Sequence, residues 1–311
     1  MTISADLKPL LIVLGPTGAG KSDLALHLAR QRNGEIVNYD SLQVYRGFDI
    51  GTAKTPVSER QGIPHHLIDV VSPGEHFTAG DFARLARVAL RQIAARGRIP
   101  VLVGGTGLYL RALLVGLSQG PARDPAIRER LERRAQKRPL SLHRILSRLD
   151  PTAASRIHSN DKKKIIRALE VRLLQGRPIT DLFLKGRDPL TGFRPIKIGL
   201  NPSRESLNQR LDARTLHIFE TGLVEEARSL LANGVPANAK PFESIGYKQA
   251  LLVLDGRLTT EQAIQSTQLE TRQYAKRQVT WFRKEDGVQW LQGYGDDPAI
   301  QARALTLIET D

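Results

Sequence analysis

Apolar positions along this chain follow two rhythms, and the change between them divides the sequence. Near the start, Leu10-Leu11-Ile12-Val13-Leu14 is a short, unbroken apolar run, the pattern of a strand buried on both faces. From Asp23 to Gln31, Leu24, Ala25 and Leu28 share one side, which predicts a helix stopping near Asn33-Gly34. Glu35-Ile36-Val37-Asn38-Tyr39 predicts a second strand, and His65 to Val71 a third, turned by Ser72-Pro73-Gly74. Asp81 is placed to cap a helix in which Phe82, Leu85, Ala89 and Ile93 recur at helical spacing; Gly97 closes it before the strand Ile99-Pro100-Val101-Leu102-Val103. Strands alternating with helices imply a parallel sheet covered on both faces.

After Leu117 the rhythm changes. From Asp124 to Gln175 the apolar positions are sparse (Leu131, Leu142, Ile145, Leu146, Leu149, Ile165, Ile166, Leu169 and Leu173) and spaced as in helices. Such a segment buries a thin core. Pro178 and Asp188-Pro189 mark its exit, and Ile196-Lys197-Ile198-Gly199-Leu200 predicts a strand returning to the sheet. Helices are predicted from Glu205 to Phe219, Leu223 to Leu231 and Thr260 to Lys284. The expected organisation is a core domain of residues 1–117 and 195–311 with an inserted helical subdomain of residues 118–194.

The first strand leads into Gly15-Pro16-Thr17-Gly18-Ala19-Gly20-Lys21-Ser22, which matches the phosphate-binding pattern GxxxxGK[ST] between a strand and a helix. Its glycines allow backbone N–H groups to turn onto an oxyanion, Lys21 supplies a mobile charge, and Ser22 offers a hydroxyl to Mg²⁺ at a helix N-terminus. The fold class is therefore α/β, a P-loop NTPase-like, nucleotide-binding type of parallel sheet core covered by helices, with an inserted basic helical subdomain. A P-loop hydrolase normally carries a magnesium-binding Asp at the end of a second apolar strand. Here Val103 runs instead into Gly104-Gly105-Thr106-Gly107. An acid stands at the end of another strand, Asp40, followed by Ser41-Leu42-Gln43. Strand C-termini face the ligand crevice in such sheets, so Asp40 is expected near the loop; a turn or cap residue is the other reading.

Charge adds a partner. The 311 residues carry 46 Lys+Arg against 32 Asp+Glu, a net +14, and the stretch from Gly120 to Leu190 holds 18 basic and 8 acidic residues. A positive field concentrated there suits a polyanion, nucleic acid before anionic membrane, unless it is a solvated helical face. With no cysteine, disulfides, Cys-ligated zinc and thiol nucleophiles are excluded. No signal-peptide pattern opens the chain, and no uncharged apolar run approaches the ~18 residues that span a bilayer, so a cytoplasmic protein is expected.

Three further groups bear on chemistry. Arg210 and Arg214 lie i, i+4 on a predicted helix, placed to clamp a phosphate or simply to meet solvent. The segment from Thr271 to Lys284 mixes bases with Tyr274, Trp281 and Phe282, which suits phosphate contacts and base stacking, or core packing on one face. His65-His66 lacks an acid or third His at metalloenzyme spacing, which argues against zinc.

Taken with Asp40 to Tyr45, Asp49 to Lys54, His65 to Asp69, Gly104 to Tyr109, Arg156-Ile157-His158, Asn160-Asp161, Arg167 to Glu170, Gly246-Tyr247 and Thr271 to Trp281, the loop makes the sequence resemble the tRNA dimethylallyltransferases, or tRNA isopentenylpyrophosphate transferases, over most of its length. The resemblance implies transfer of a dimethylallyl group from dimethylallyl diphosphate to N6 of the adenosine immediately 3′ of the anticodon, with Mg²⁺ required. It implies Asp40 as the base, Thr106 beside the reacting adenine, and Lys21, Ser22 through Mg²⁺, the loop amides and Arg210 or Arg214 on the leaving diphosphate. It implies contacts with the tRNA anticodon stem-loop from Asp40, Ser41, Leu42, Gln43 and Thr106; from Arg128, Lys163, Lys164, Ile165, Ile166 and Arg167; from Glu243, Ser244, Ile245, Gly246, Tyr247 and Lys248; and from Arg272, Gln273, Lys276 and Arg277. The run Lys162-Lys163-Lys164-Ile165-Ile166 is more basic and less polar than the family's. A monomer acting away from membranes is expected. Two rival classes share the loop: a P-loop small-molecule kinase, which predicts ATP turnover, and a prenyltransferase acting on free adenine nucleotides, which has little use for a basic insertion.

Overall fold

The computed structural model describes residues 7–118, 120–184 and 187–309. Two compact units emerge, one running to Leu114 and resuming at Leu190, the other Val115–Pro189. In chain order the first comprises β1 (Lys8–Leu14), α1 (Lys21–Gln31), β2 (Gly34–Asn38), β3 (His65–His66), α2 (Ala79–Ala95), β4 (Ile99–Val103) and α3 (Gly107–Leu114). The second unit holds α4 (Pro125–Lys137), α5 (Ser141–Leu149), α6 (Pro151–Arg156), α7 (Lys162–Gln175) and α8 (Ile179–Leu184). The first then continues with β5 (Phe193–Leu200), α9 (Arg204–Glu220), α10 (Leu223–Ala232), α11 (Tyr247–Leu254), α12 (Thr260–Phe282), β6 (Val288–Leu291) and α13 (Pro298–Glu309).

The six strands pair in parallel in the order β3-β2-β4-β1-β5-β6. Central β1 explains why the sheet needs both layers. Leu10, Ile12 and Leu14 point into one core, with Phe82, Leu90 and Ile93 of α2 and Leu110 of α3. Leu11 and Val13 point into the other, with Leu24 and Leu28 of α1 and Ile300 of α13. The five side chains from Leu10 to Leu14 are fully buried, each contributing roughly 2 kcal/mol of apolar transfer, which fixes the strand's register as well as its place. A third cluster joins residues 44–50 to α9, α10, α11 and α12 around Phe48, Phe242 and Tyr247, whose rings meet edge to face.

Several expectations shift. The strand expected from His65 to Val71 stops at His66, because Leu67 and Asp69 adopt left-handed backbone (φ 61° and 56°) that no ladder tolerates. Asp69 turns instead to the buried Lys54 ammonium, which also meets Asp49 and the Tyr45 carbonyl. Thr78, not Asp81, caps α2; Asp81 completes a capping box as its N3 residue. β5 begins at Phe193, whose ring joins the core, so residues 190–194 belong with the sheet rather than the insertion. α3, α11, β6 and α13 went unpredicted, being short or weakly periodic.

The unit Val115–Pro189 has the thin core its sequence implies, centred on Leu131, Leu142, Leu146, Ile165, Ile166 and Leu169. Two buried acids supplement it. Asp150 caps α6 through the Ala153 N–H (2.9 Å) and accepts from the Thr180 hydroxyl (3.0 Å). Glu170, 0% exposed, accepts from the Asp124 N–H (2.9 Å) and from the guanidiniums of Arg128 and Arg167 (each 2.8 Å). Burial pushes the Glu170 carboxyl up, but these donors outweigh it and hold it at about 2.

Candidate active site

The site gathers at the C-terminal ends of β1, β2 and β4, where an open parallel sheet presents its crevice. After β1 the loop Gly15 to Ser22 turns into α1 through Gly20, whose φ of 77° is left-handed. A Cβ on Gly20 would lie 2.8 Å from the Gly295 nitrogen, because the loop following β6 lies against it and the Gly295 N–H donates to the Ala19 carbonyl (2.9 Å). Lys21 Nζ donates to the Pro16 carbonyl (2.7 Å). Burial pushes the Lys21 ammonium down to about 7; Asp40 opposes that shift and Arg214 adds to it.

Asp40 follows β2. Its N–H donates to Asn38 Oδ1 (3.0 Å) and its Oδ1 accepts from the Leu42 N–H (2.9 Å). The turn reading thus holds for one oxygen, while Oδ2 accepts no hydrogen bond among the described residues. Thr106, after β4, accepts from the Ser41 N–H at Oγ1 (3.0 Å) and donates to Ser41 Oγ (3.2 Å), joining the two strand ends. No carboxylate stands at the end of β4: the tract Gly104 to Gly107 has another purpose. A Cβ on Gly105 would come within 2.4 Å of Gln278 Nε2, and one on Gly107 within 2.1 Å of Trp281 Nε1, so α12 seats directly on the tract.

Two cavities meet here. The larger, about 650 Å³, is polar and includes Lys21, Ser22, Asp40, Lys54 and Arg214 in its lining. The smaller, about 350 Å³, has an apolar wall of Leu211, Ile218 and Ile245, with Tyr274 beside it. Thr17, Asp40, Thr52 and Arg214 line both. Burial, reinforced by the Asp40 charge, pushes the Tyr274 phenol up, so it stays a neutral hydrogen-bonding group.

The two arginines expected to act as a pair separate. Arg210 is taken by Asp296 in a fork (2.9 and 3.0 Å) and stacks 4.6 Å over Tyr294. Arg214 forms no ion pair among the described residues, and its guanidinium lies 3.4 Å from Thr17 Oγ1. Burial pushes it down, with Asp40 opposing. Of the two, Arg214 is therefore the one whose charge is left uncompensated.

Other residues flagged by resemblance divide in the same way. Gly51 to Lys54 and Glu243 to Gly246 frame the cavities. Tyr247 is buried, however: its hydroxyl donates to Glu226 and accepts from the Gly51 N–H (3.1 Å), while Glu226 also takes the Asp49 and Ile50 N–H groups (2.8 and 2.9 Å). This explains the Asp49 to Lys54 motif as a loop fixed by one acid. Lys248 pairs with Glu270 and Arg272 with Asp212, whereas Gln273, Lys276 and Arg277 are exposed on α12. In the smaller unit Lys163 is exposed and Lys164 pairs with Asp161 (2.6 Å). Ile165 and Ile166 are core residues, so their side chains cannot be the surface contacts expected of them. His66 donates to the buried Glu35 (2.6 Å) and His65 to the Ile63 carbonyl (2.8 Å), which accounts for that pair structurally.

Gln278 escaped the sequence analysis. Its Oε1 accepts from the Thr17 N–H (2.8 Å) and its Nε2 donates to the Gly105 carbonyl (3.0 Å). The signal was its place between Tyr274 and Trp281 at i, i+4, i+7, a single helix face.

A phosphate-binding loop, an acid after β2 instead of after β4, and a second, partly apolar cavity define a P-loop group-transfer enzyme rather than a nucleotide hydrolase. The IPP transferase family pattern matches residues 43–285. A tRNA dimethylallyltransferase of Solibacter usitatus is 58% identical over 297 residues, covering 96% of this chain and 97% of its own, and one of Koribacter versatilis is 54% identical over 302 residues. Among solved structures, the tRNA isopentenylpyrophosphate transferase of Bacillus halodurans superposes with a TM-score of 0.71 at 38% identity, covering 97% of each chain. A eukaryotic dimethylallyltransferase captured acting on tRNA gives 0.82 at 31%, covering 98% of this chain and 79% of its own. The chain belongs to the IPP transferase family of tRNA dimethylallyltransferases. No helix among its described residues is long and apolar enough to cross a membrane.

Proposed function

We propose that the protein transfers the dimethylallyl group of dimethylallyl diphosphate to N6 of the adenosine immediately 3′ of the anticodon of tRNA, releasing diphosphate. The observation carrying this reading is that Asp40 and Arg214 both line two adjoining cavities, one built for an anion and the other partly apolar. The diphosphate takes the polar cavity, where loop amides, Lys21 and Arg214 meet the charge that gathers on the bridging oxygen as the C1–O bond breaks. Adenine N6 is a weak nucleophile, its lone pair delocalised into the ring. Asp40 Oδ2 takes its proton as the N–C1 bond forms, while Oδ1 stays anchored to the Leu42 N–H. Thr106 holds the Ser41 backbone and orients the adenine.

The donors at the loop are hard oxygens, Ser22 Oγ with Asp23, Asp40 and Glu59 around the same cavity, a set suited to Mg²⁺. No group of three or more His, Cys, Asp or Glu side chains among the described residues could hold a metal ion alone. When bound, Mg²⁺ supplies Lewis-acid neutralisation of the leaving group.

The basic unit Val115–Pro189 supplies cations for the RNA backbone of the anticodon stem-loop, whose unpaired bases are extruded at modest cost. A kinase leaves this unit unexplained, as does a prenyltransferase of free nucleotides. We place the enzyme in the cytoplasm, acting as a monomer alongside its RNA. The test is incubation with Mg²⁺, labelled dimethylallyl diphosphate and unmodified tRNA, with AMP as acceptor and ATP as donor in parallel. Label in tRNA alone is expected; label in AMP, or phosphate released from ATP with inert tRNA, would overturn the reading.

A further inference from the structure

Gln278 spans the two halves of the site. Only 5% exposed, it sits on α12 with both ends of its amide committed: Oε1 to the Thr17 N–H of the phosphate loop, Nε2 to the Gly105 carbonyl of the tract after β4. Thr17 adjoins the leaving-group cradle. Gly105 adjoins Thr106, which holds Ser41 and through it the Asp40 segment. A Cβ on Gly105 would lie 3.8 Å from Asp40 Oδ2, so the residue that Gln278 grips stands beside the carboxylate. β1 and β4 are adjacent strands, but their loops beyond Leu14 and Val103 have no ladder bond to set the gap between them. The Gln278 amide is a direct bridge across that gap, and a tight one, since any side chain at 105 would displace it.

We propose that Gln278 is a positioning residue that sets the distance between the leaving diphosphate and the attacking N6, acting through Thr17 and Gly105 without touching either substrate. This rests on the transfer reaction proposed above. Displacement at an allylic carbon needs leaving oxygen, C1 and nucleophile at a defined spacing, and a misplacement of about 1 Å costs roughly 10²-fold. If the spacing relaxes, the C1–O bond can still break, its electron pair leaving on diphosphate. A water oxygen then bonds C1 and gives up a proton, so dimethylallyl alcohol forms in place of the prenylated base.

The experiment compares wild type, Gln278→Met and Gln278→Glu, measuring diphosphate released and prenyl groups transferred to tRNA in the same reactions, with each substrate's KM and thermal unfolding. Gln278→Met keeps the volume and removes both bonds; Gln278→Glu keeps the acceptor for Thr17 and removes the donor to Gly105. Wild type is expected to release one diphosphate per transfer. The Met variant is expected to transfer about 10- to 100-fold more slowly, with both KM values within about threefold of wild type and diphosphate release exceeding transfer at least twofold. Gln278→Glu is expected to fall between, partial rescue through the retained acceptor. Unchanged stoichiometry in both variants would overturn the proposal, as would losses that vanish on correction for the folded fraction. Failure of the wild type to prenylate tRNA would instead remove the transfer reading itself.

Discussion

Arginine plays opposite parts in the two units. In the core, Arg214 is half-buried beside Asp40 without an ion-pair partner among the described residues, its charge available to a ligand. In the smaller unit, Arg128 and Arg167 are both spent on Glu170, which is fully buried. The core can leave a cation unneutralised because a two-layer apolar sheet stabilises it independently. The smaller unit has few buried aliphatics and takes part of its cohesion from an acid shared by two arginines. A high count of basic residues therefore overstates the charge free to meet RNA there.

The comparison breaks most sharply if the core's free groups prove dispensable. Asp40→Asn is expected to lose transfer by at least ~10² with tRNA affinity retained, because the amide cannot accept the N6 proton. Arg214→Ala is expected to cost a similar ~10²-fold in kcat/KM for the prenyl diphosphate. Arg210→Ala, by contrast, is expected to cost about tenfold or less, mainly through loosening of the loop that Asp296 carries against Gly20. Steady-state kinetics on the three variants decides the matter; equal losses for the two arginines would end the distinction between them.

That distinction was invisible in the sequence for a definite reason. Arg210 and Arg214 occupy equivalent i, i+4 positions, and what separates them is Asp296, 86 residues further on. The phosphate loop was legible because its chemistry is local, eight consecutive residues between a strand and a helix. Asp40 was legible because parallel sheets send strand C-termini to one edge. Gln278 was not, since its partners are 261 and 173 residues away and a glutamine carries no charge to attract notice. Ile165 and Ile166 stood among the apolar helix positions from the start, and only the family resemblance set them against RNA; α7 turns the two side chains inward. The third strand was overextended because its apolar content hid the left-handed turns at Leu67 and Asp69. Local pattern reveals which elements form; pairing across the fold decides which polar groups remain free.

In the smaller unit the same reasoning gives a smaller effect. Arg128→Ala removes one of the two guanidiniums on a buried carboxylate and is expected to destabilise the unit by roughly 2 kcal/mol, seen as a lower urea midpoint. Lys163→Ala, at an exposed position, is expected to leave unfolding unchanged while reducing the salt dependence of tRNA binding by about one unit of slope. A salt slope altered by Arg128→Ala with stability intact would return that residue to the RNA surface. Glu170 adds a pH window. Its folded-state value of about 2 lies below its ordinary 4.5, so the stability it lends is complete above about 4.5 and lost as the pH falls toward 2.

A last test probes the contrast between desolvated and exposed cations directly. Lys21, with its ammonium pushed down to about 7, is largely neutral at pH 8 before ligand arrives. A diphosphate beside it favours the charged form, so binding raises its pKa and draws in a proton: close to one at pH 8 and little at pH 6. Affinity for dimethylallyl diphosphate is therefore expected to weaken as the pH rises from 7 to 9, by up to about tenfold per unit. Lys21→Arg, charged throughout, is expected to abolish the uptake. Calorimetric titration in buffers of different ionisation enthalpy measures the proton directly. tRNA affinity, which does not draw on Lys21, is expected to stay flat over the same range. Parallel pH profiles for the two ligands would mean that the pH dependence does not arise at Lys21.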